Sequence, residues 1–95
     1  MKIKNISGTS ELDCVCGSWL KHWENFSGKT ATYCGEQYCT ETKNLVGAHV
    51  RRVDISDSNR YILPLCAKHN KSKEELEVFS KYTLVSANTG ETCEK

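Results

Sequence analysis

Six cysteines and three histidines in a chain of 95 residues constrain its folding more than any other feature of the sequence. Apolar residues make up 38% of the chain, and that figure already counts the cysteines. A domain of this size buries a modest hydrophobic core and often needs a cross-link to stay folded. Disulfide bonds or metal ions held by thiolates and imidazoles would supply one. We expect a single domain over residues 1–95.

The first residues favour the metal over disulfides. Residues 1–8 carry two lysines but no apolar run typical of a secretory signal, and no segment of the chain is apolar over a membrane-spanning length. We therefore expect a cytoplasmic protein with no membrane contact, in which a reducing environment keeps thiols available for metal. The polar residues 1–12 are expected to be flexible.

Two ligand pairs have the spacing of a structural zinc site. Cys34 and Cys39 are separated by four residues, and Cys66 and His69 follow after a long interval. Each pair can place two donors on one side of an ion, and the two pairs together complete a tetrahedron. Zinc binding of this kind contributes on the order of 10–16 kcal/mol to folding. The sequence thus predicts a first zinc held by these four residues.

The remaining cysteines form a second candidate set. Cys14, Cys16 and Cys93, with His22, would make another three-cysteine, one-histidine site that ties the C-terminal tail to the N-terminal turn. This assignment uses every cysteine of the chain. The alternative for His22 is an ordinary residue on the surface of a helix.

The pattern of apolar residues predicts an α+β fold. Ser18 can cap a helix that carries Trp19, Trp23 and Phe26 on one face and ends at Gly28. The tryptophans could form a base-stacking platform, but core packing is the favoured interpretation. Segments 45–53 and 60–63 are predicted to form a hairpin that Pro64 ends. A helix is predicted from about Cys66, with a capping box at 72–75 and apolar residues at 76 and 79. A short strand at 83–86 follows.

Positive charge is concentrated in the middle of the chain. Residues 42–73 carry seven basic and two acidic side chains, a net charge of +5, whereas the whole chain carries +1. Local binding to DNA or RNA phosphates is one interpretation and an ordinary solvated surface is the other. The candidate phosphate contacts are Arg51, Arg52, Arg60, Lys68, Lys71 and Lys73.

The stretch from Gly47 to Val50, together with residues 59–73, resembles the HNH or His-Me finger family. The resemblance implies a zinc-stapled treble-clef ββα core over residues 34–75, and the short helix predicted from Ser18 precedes this core. It also implies that His49 is a general base and Asn70 a ligand of a catalytic divalent ion such as Mg²⁺. Two positions depart from the family pattern, because Ala48 stands where an acidic residue or histidine is usual and Tyr61 where an asparagine is usual.

Three functions fit these observations. The chain could be a metal-dependent endonuclease that uses His49, in which a neutral imidazole takes a proton from water. It could be a related domain that binds nucleic acid without cutting it. It could also be a zinc-stabilised module that binds a protein partner, with His49 as a half-buried structural residue.

Overall fold

A five-stranded antiparallel sheet organises the molecule. The computed structural model describes residues 1–6 and 15–94. The strands are β1 (Lys2–Asn5), β2 (Leu45–Arg52), β3 (Tyr61–Cys66), β4 (Leu76–Glu77) and β5 (Val85–Ser86), in the spatial order β4-β1-β2-β3-β5. Two helices, α1 (Trp19–Ser27) and α2 (Ala67–Asn70), and a 3-10 turn (Thr89–Glu91) complete it. The predicted α+β class is confirmed.

Helix α1 begins and ends where its capping residues predict. The Ser18 hydroxyl accepts a hydrogen bond from the Lys21 amide at 3.0 Å. Gly28 adopts a left-handed conformation with φ of 71°, and its amide bonds to the Glu24 carbonyl, as is usual for a helix C-terminus. Trp23 is buried in the core, so the packing interpretation of this tryptophan is confirmed.

The helix lies very close to strand β2 at Gly47. A Cβ atom at this position would lie 2.3 Å from the carbonyl carbon of Trp19 and 2.4 Å from the Leu20 amide nitrogen. Such distances are far below van der Waals contact, so only glycine lets the start of α1 approach the strand this closely.

The β2–β3 hairpin is present but longer than the sequence predicted. Leu45 pairs with Cys66, and Gly47 pairs with Pro64, so Pro64 lies inside β3 and does not end it. Proline lacks an amide hydrogen. Its carbonyl, however, accepts a bond from the Gly35 amide at 2.8 Å, which fastens the 34–39 segment to the hairpin. The strand therefore continues to Cys66.

Residues 1–6 of the segment expected to be flexible lie against the sheet, and residues 7–12 lie outside the described part. Strand β1 pairs with both β2 and β4, and Ile3 is fully buried. The Met1 ammonium group donates to the Val78 carbonyl at 2.8 Å and lies 3.1 Å from the Glu77 carboxylate. One apolar residue and these terminal contacts are enough to place the segment in the sheet.

The helix predicted after Cys66 is only one turn long. α2 ends at Asn70, and Leu76 pairs with Ile3 as part of β4. Leu76 and Val78 are both buried whereas Glu77 between them is not, an alternation with the period of a strand. Burial of these two side chains overrides the capping-box signal at 72–75.

Candidate metal centres

The four predicted ligands of the first zinc come together at the end of the hairpin. The ligand atoms of Cys34, Cys39, Cys66 and His69 all lie within 4.8 Å of one another. Sγ of Cys39 and Cys66 are 4.0 Å apart, and His69 Nδ1 lies 3.5 Å from Cys34 Sγ and 3.2 Å from Cys66 Sγ. In a tetrahedral zinc site these separations are about 3.8 Å between sulfurs and about 3.6 Å between sulfur and nitrogen. The group thus fits zinc.

The thiols in this first cluster are free and differ in acidity. Cys34, Cys39 and Cys66 form no disulfide. Burial raises the pKa of the Cys34 thiol to about 12. Burial acts in the same direction on Cys66, but the backbone amides of His69 and Lys68 and the neighbouring thiols outweigh it, so the pKa of Cys66 is lowered. A bound cation would favour the thiolate form of each.

The imidazole of His69 is oriented for ligation through Nδ1. Its other nitrogen, Nε2, lies 3.7 Å from a carboxylate oxygen of Glu36. Metal-ligating histidines commonly direct the second ring nitrogen to a carboxylate or carbonyl, which fixes the tautomer. Sequence analysis missed Glu36, whose position two residues after Cys34 was the available signal.

A second group of ligands gathers Cys16, His22 and Cys93, whose ligand atoms also lie within 4.8 Å of one another. Cys16 Sγ is 3.8 Å from His22 Nδ1, and His22 Nε2 bonds to the Ser86 carbonyl at 2.9 Å. His22 is buried, so it is not the surface residue of the alternative interpretation. The fourth predicted ligand, Cys14, lies outside the described residues. Thiolates and imidazole again suit zinc.

The predicted general base is enclosed by α1. His49 is 6% exposed, and its ring meets the Trp19 ring edge-on at a centroid distance of 4.4 Å. Its Nε2 is buried and has no hydrogen-bond partner among the described residues. Burial, followed by the charges of Arg60 and His22, lowers the pKa of His49 to about 4. The imidazole is neutral near pH 7, but its ring is covered.

His49 and the segment of Asn70 lie on opposite faces of the sheet. Neighbouring residues of a strand point to opposite faces, so the Val50 side chain lies away from α1. Asn5 pairs with Val50 and shares its face. The Asn5 side chain donates to the carbonyls of His69 and Ser72 at 2.8 and 3.0 Å. The described structure therefore does not bring the two predicted catalytic residues to one face.

The predicted basic residues divide into separate groups. Arg51 and Arg60 line one surface groove together with Lys4, which sequence analysis missed. Arg52 instead makes a two-point contact with the Asp54 carboxylate at 2.8 and 3.1 Å. The others lie at or beyond α2: Lys68 borders the first cluster, and Lys71 and Lys73 are exposed.

Comparison with known proteins adds no relative: no family model, no curated protein and no solved structure matches the chain. The resemblance to the HNH family stays a prediction from the sequence. Among the described residues, no helix has the length and apolar character needed to cross a membrane.

Proposed function

We propose that this chain is a zinc-stabilised domain that binds nucleic acid without cutting it. The observation that carries the proposal is the meeting of Lys4, Arg51 and Arg60 in one groove, while His49 lies covered beneath Trp19. The groove supplies cations for phosphates. A covered imidazole cannot reach a water molecule beside a scissile phosphate.

The pairing of β1 with β2 supports an anionic ligand in this groove. Lys4 lies directly opposite Arg51 in the register of the two strands. Like charges at such a position repel each other, and a phosphate between them would relieve the repulsion. Asp57 also lines the groove. Its carboxylate, however, accepts hydrogen bonds from the Tyr61 hydroxyl and the Asn59 amide.

The proposed frame is the treble clef implied by the resemblance, held by two zinc ions. A ligand-bearing turn at 34–39, a hairpin and a helical turn at its end follow one another in that order. The helix of this frame is a single turn, and Ala48 supplies no carboxylate beside His49. These features support a domain that binds nucleic acid and does not hydrolyse it.

Binding and cutting are tested side by side. We expect no nicking of plasmid DNA with Mg²⁺, Mn²⁺ or Ni²⁺, and binding that weakens steeply with salt. Arg51→Gln and Arg60→Gln should each weaken binding. Each should also reduce the slope of the logarithm of the binding constant against the logarithm of salt concentration by about the amount that one phosphate contact contributes. Arg52→Gln is the matched control, since it removes the same charge from the neighbouring position, where Asp54 already holds it.

The outcomes separate the three functions. Cutting that His49→Ala abolishes without unfolding the protein would establish a nuclease. The absence of both cutting and salt-sensitive binding would favour the protein-interaction module. If Arg51→Gln and Arg52→Gln weakened nucleic-acid binding equally, the phosphates would lie outside the groove.

A further inference from the structure

A second groove, distinct from the cationic one, opens between residues 29–33 and 79–83. It encloses about 520 Å³, within the range of ligand pockets. Trp23 lies at its buried side, while Tyr33 and Phe79 are 44% and 49% exposed. Two half-exposed aromatic rings thus share one concave surface, and contiguous exposed apolar surface of this kind marks binding sites more often than single exposed rings do.

The charge of this groove selects an anionic partner. Lys29 and Lys81 line it, four further lining residues are serine or threonine, and none of the ten lining residues is acidic. Aromatic rings beside lysines offer a π-face to a base and a cation to its phosphate. A hydrophobic peptide would need the rings but not the cations.

Three hydrogen bonds hold the two walls of the groove together. The Tyr82 hydroxyl donates to the Tyr33 carbonyl at 3.1 Å, and the Trp23 indole donates to the Thr83 carbonyl at 2.9 Å. Lys29 Nζ donates to the Thr83 hydroxyl at 2.7 Å. These bonds tie the 29–33 segment and α1 to the 79–83 segment, so the groove exists before a ligand arrives and little ordering is needed on binding.

We propose that this groove takes an unpaired base of a single-stranded nucleic acid, stacked on Tyr33 or Phe79 with its phosphates at Lys29 and Lys81. The inference rests on the proposed function and names its substrate class. A duplex keeps its bases stacked on one another and presents only its backbone. The groove therefore confers a preference for single strands, and the Lys4–Arg51–Arg60 groove supplies general phosphate attraction.

The test compares the zinc-loaded protein with a labelled oligothymidylate, an oligouridylate and a DNA duplex of the same length. Phe79→Leu and Tyr33→Leu keep apolar bulk but remove the aromatic face. We expect each to weaken single-strand binding by roughly tenfold and to leave duplex binding unchanged. Tyr38→Leu is the control, since this ring is 81% exposed and lies outside the groove. Thermal melting and zinc content confirm that each variant is folded.

Each outcome decides a separate point. Losses confined to single strands and to the groove variants establish the stacking site, and the two oligomers show whether DNA or RNA fits it better. If the groove variants bind like the wild type while Arg51→Gln still weakens binding, the stacking site is wrong and the proposed function stands. If no nucleic acid binds in a salt-sensitive way, the proposed function fails and this inference fails with it.

Discussion

At the scale of single residues, the three histidines differ in what their ring nitrogens meet. His22 and His69 each direct Nδ1 toward thiols, and each has an oxygen acceptor near Nε2: the Ser86 carbonyl and the Glu36 carboxylate. His49 instead has a buried Nε2 for which residues 1–6 and 15–94 supply no hydrogen-bond partner. Spacing in the sequence could suggest ligands but could not distinguish these environments, because the acceptors come from distant segments.

Glu36 should tune the first metal site through His69. Glu36→Gln removes the charge that stabilises the Nε2–H group while keeping the side chain's shape, so we expect zinc affinity to fall by about 10–100-fold. Competition with a chromophoric chelator measures this. Glu41→Gln is the control, since its carboxylate accepts bonds from the Thr42 and Lys43 amides and not from a ligand. Equal affinities in the two variants would contradict a role for Glu36.

The burial of His49 predicts a pH-dependent stability. Its pKa is 6.5 in an ordinary setting and about 4 in the folded protein, so the unfolded chain binds the proton more readily. The free energy of unfolding should therefore be highest above pH 6.5. It should fall by up to about 3 kcal/mol as the pH drops toward 4. Urea unfolding in excess zinc measures it. In the His49→Leu variant, the loss of stability at low pH should shrink to the part that release of the metal causes. If the free energy of unfolding of the variant and of the wild type fell in parallel with pH, the prediction would be refuted.

At the scale of elements, the sequence predicts those whose signals are local. The capping serine and the terminal glycine of helix α1 act as expected. Of its predicted apolar face, Trp23 is buried, whereas Phe26 is 45% exposed. The β2–β3 hairpin follows from two apolar runs around a polar turn. Strands β1 and β4 escaped prediction, because they are short and their pairing joins residues 3 and 76. Such segments come together only in the folded chain, and the strand propensity of their residues does not indicate this pairing.

The approach of α1 to β2 makes Gly47 a sensitive position. Gly47→Ala would push the first turn of α1 from the sheet, so we expect a loss of about 1–3 kcal/mol in the free energy of unfolding. Because His22 lies on α1, the second metal group should also weaken more than the first. Denaturant unfolding and zinc titration measure both effects.

Gly28→Ala separates crowding from backbone conformation. No atom in the described part of the chain lies within 4 Å of a Cβ atom placed at Gly28, although the φ of this residue is +71°. This variant should cost about 1 kcal/mol through backbone conformation alone, with little effect on either metal group. If Gly47→Ala proved no more harmful than Gly28→Ala, the close contact with Trp19 would be relieved more easily than the geometry indicates.

At the scale of the whole molecule, metal ions in the two ligand groups would each link segments that are far apart in the sequence. The first joins the 34–39 turn to the end of the hairpin and to α2, and the second joins α1 to the C-terminal segment at Cys93. The sequence predicted the first set in full. For the second it named Cys16, His22 and Cys93 correctly as neighbours, since using every cysteine was a sound constraint in a chain with a small core.

The two groups should differ in their importance for folding. Cys66 lies in the core, at the junction of β3 and α2, whereas Cys93 is only partly buried and follows the last described element, Thr89–Glu91. Cys66→Ser should therefore abolish cooperative unfolding, because it removes a zinc ligand from the centre of the fold. Cys93→Ser should lower the melting temperature while leaving the sheet intact. Circular dichroism melts of the two variants measure the difference, and equal losses would contradict this ranking.

Zinc stoichiometry tests the architecture as a whole. Native mass spectrometry should show two ions on the intact protein, with the second group releasing its ion first as a chelator is added, because the described residues supply three ligands to the second group and four to the first. Removal of the first ion should coincide with unfolding, since thiolates of Cys34, Cys39 and Cys66 would then lose the charge that holds them together. A mass that fits three disulfide bonds and no metal would exclude both centres and the frame built on them.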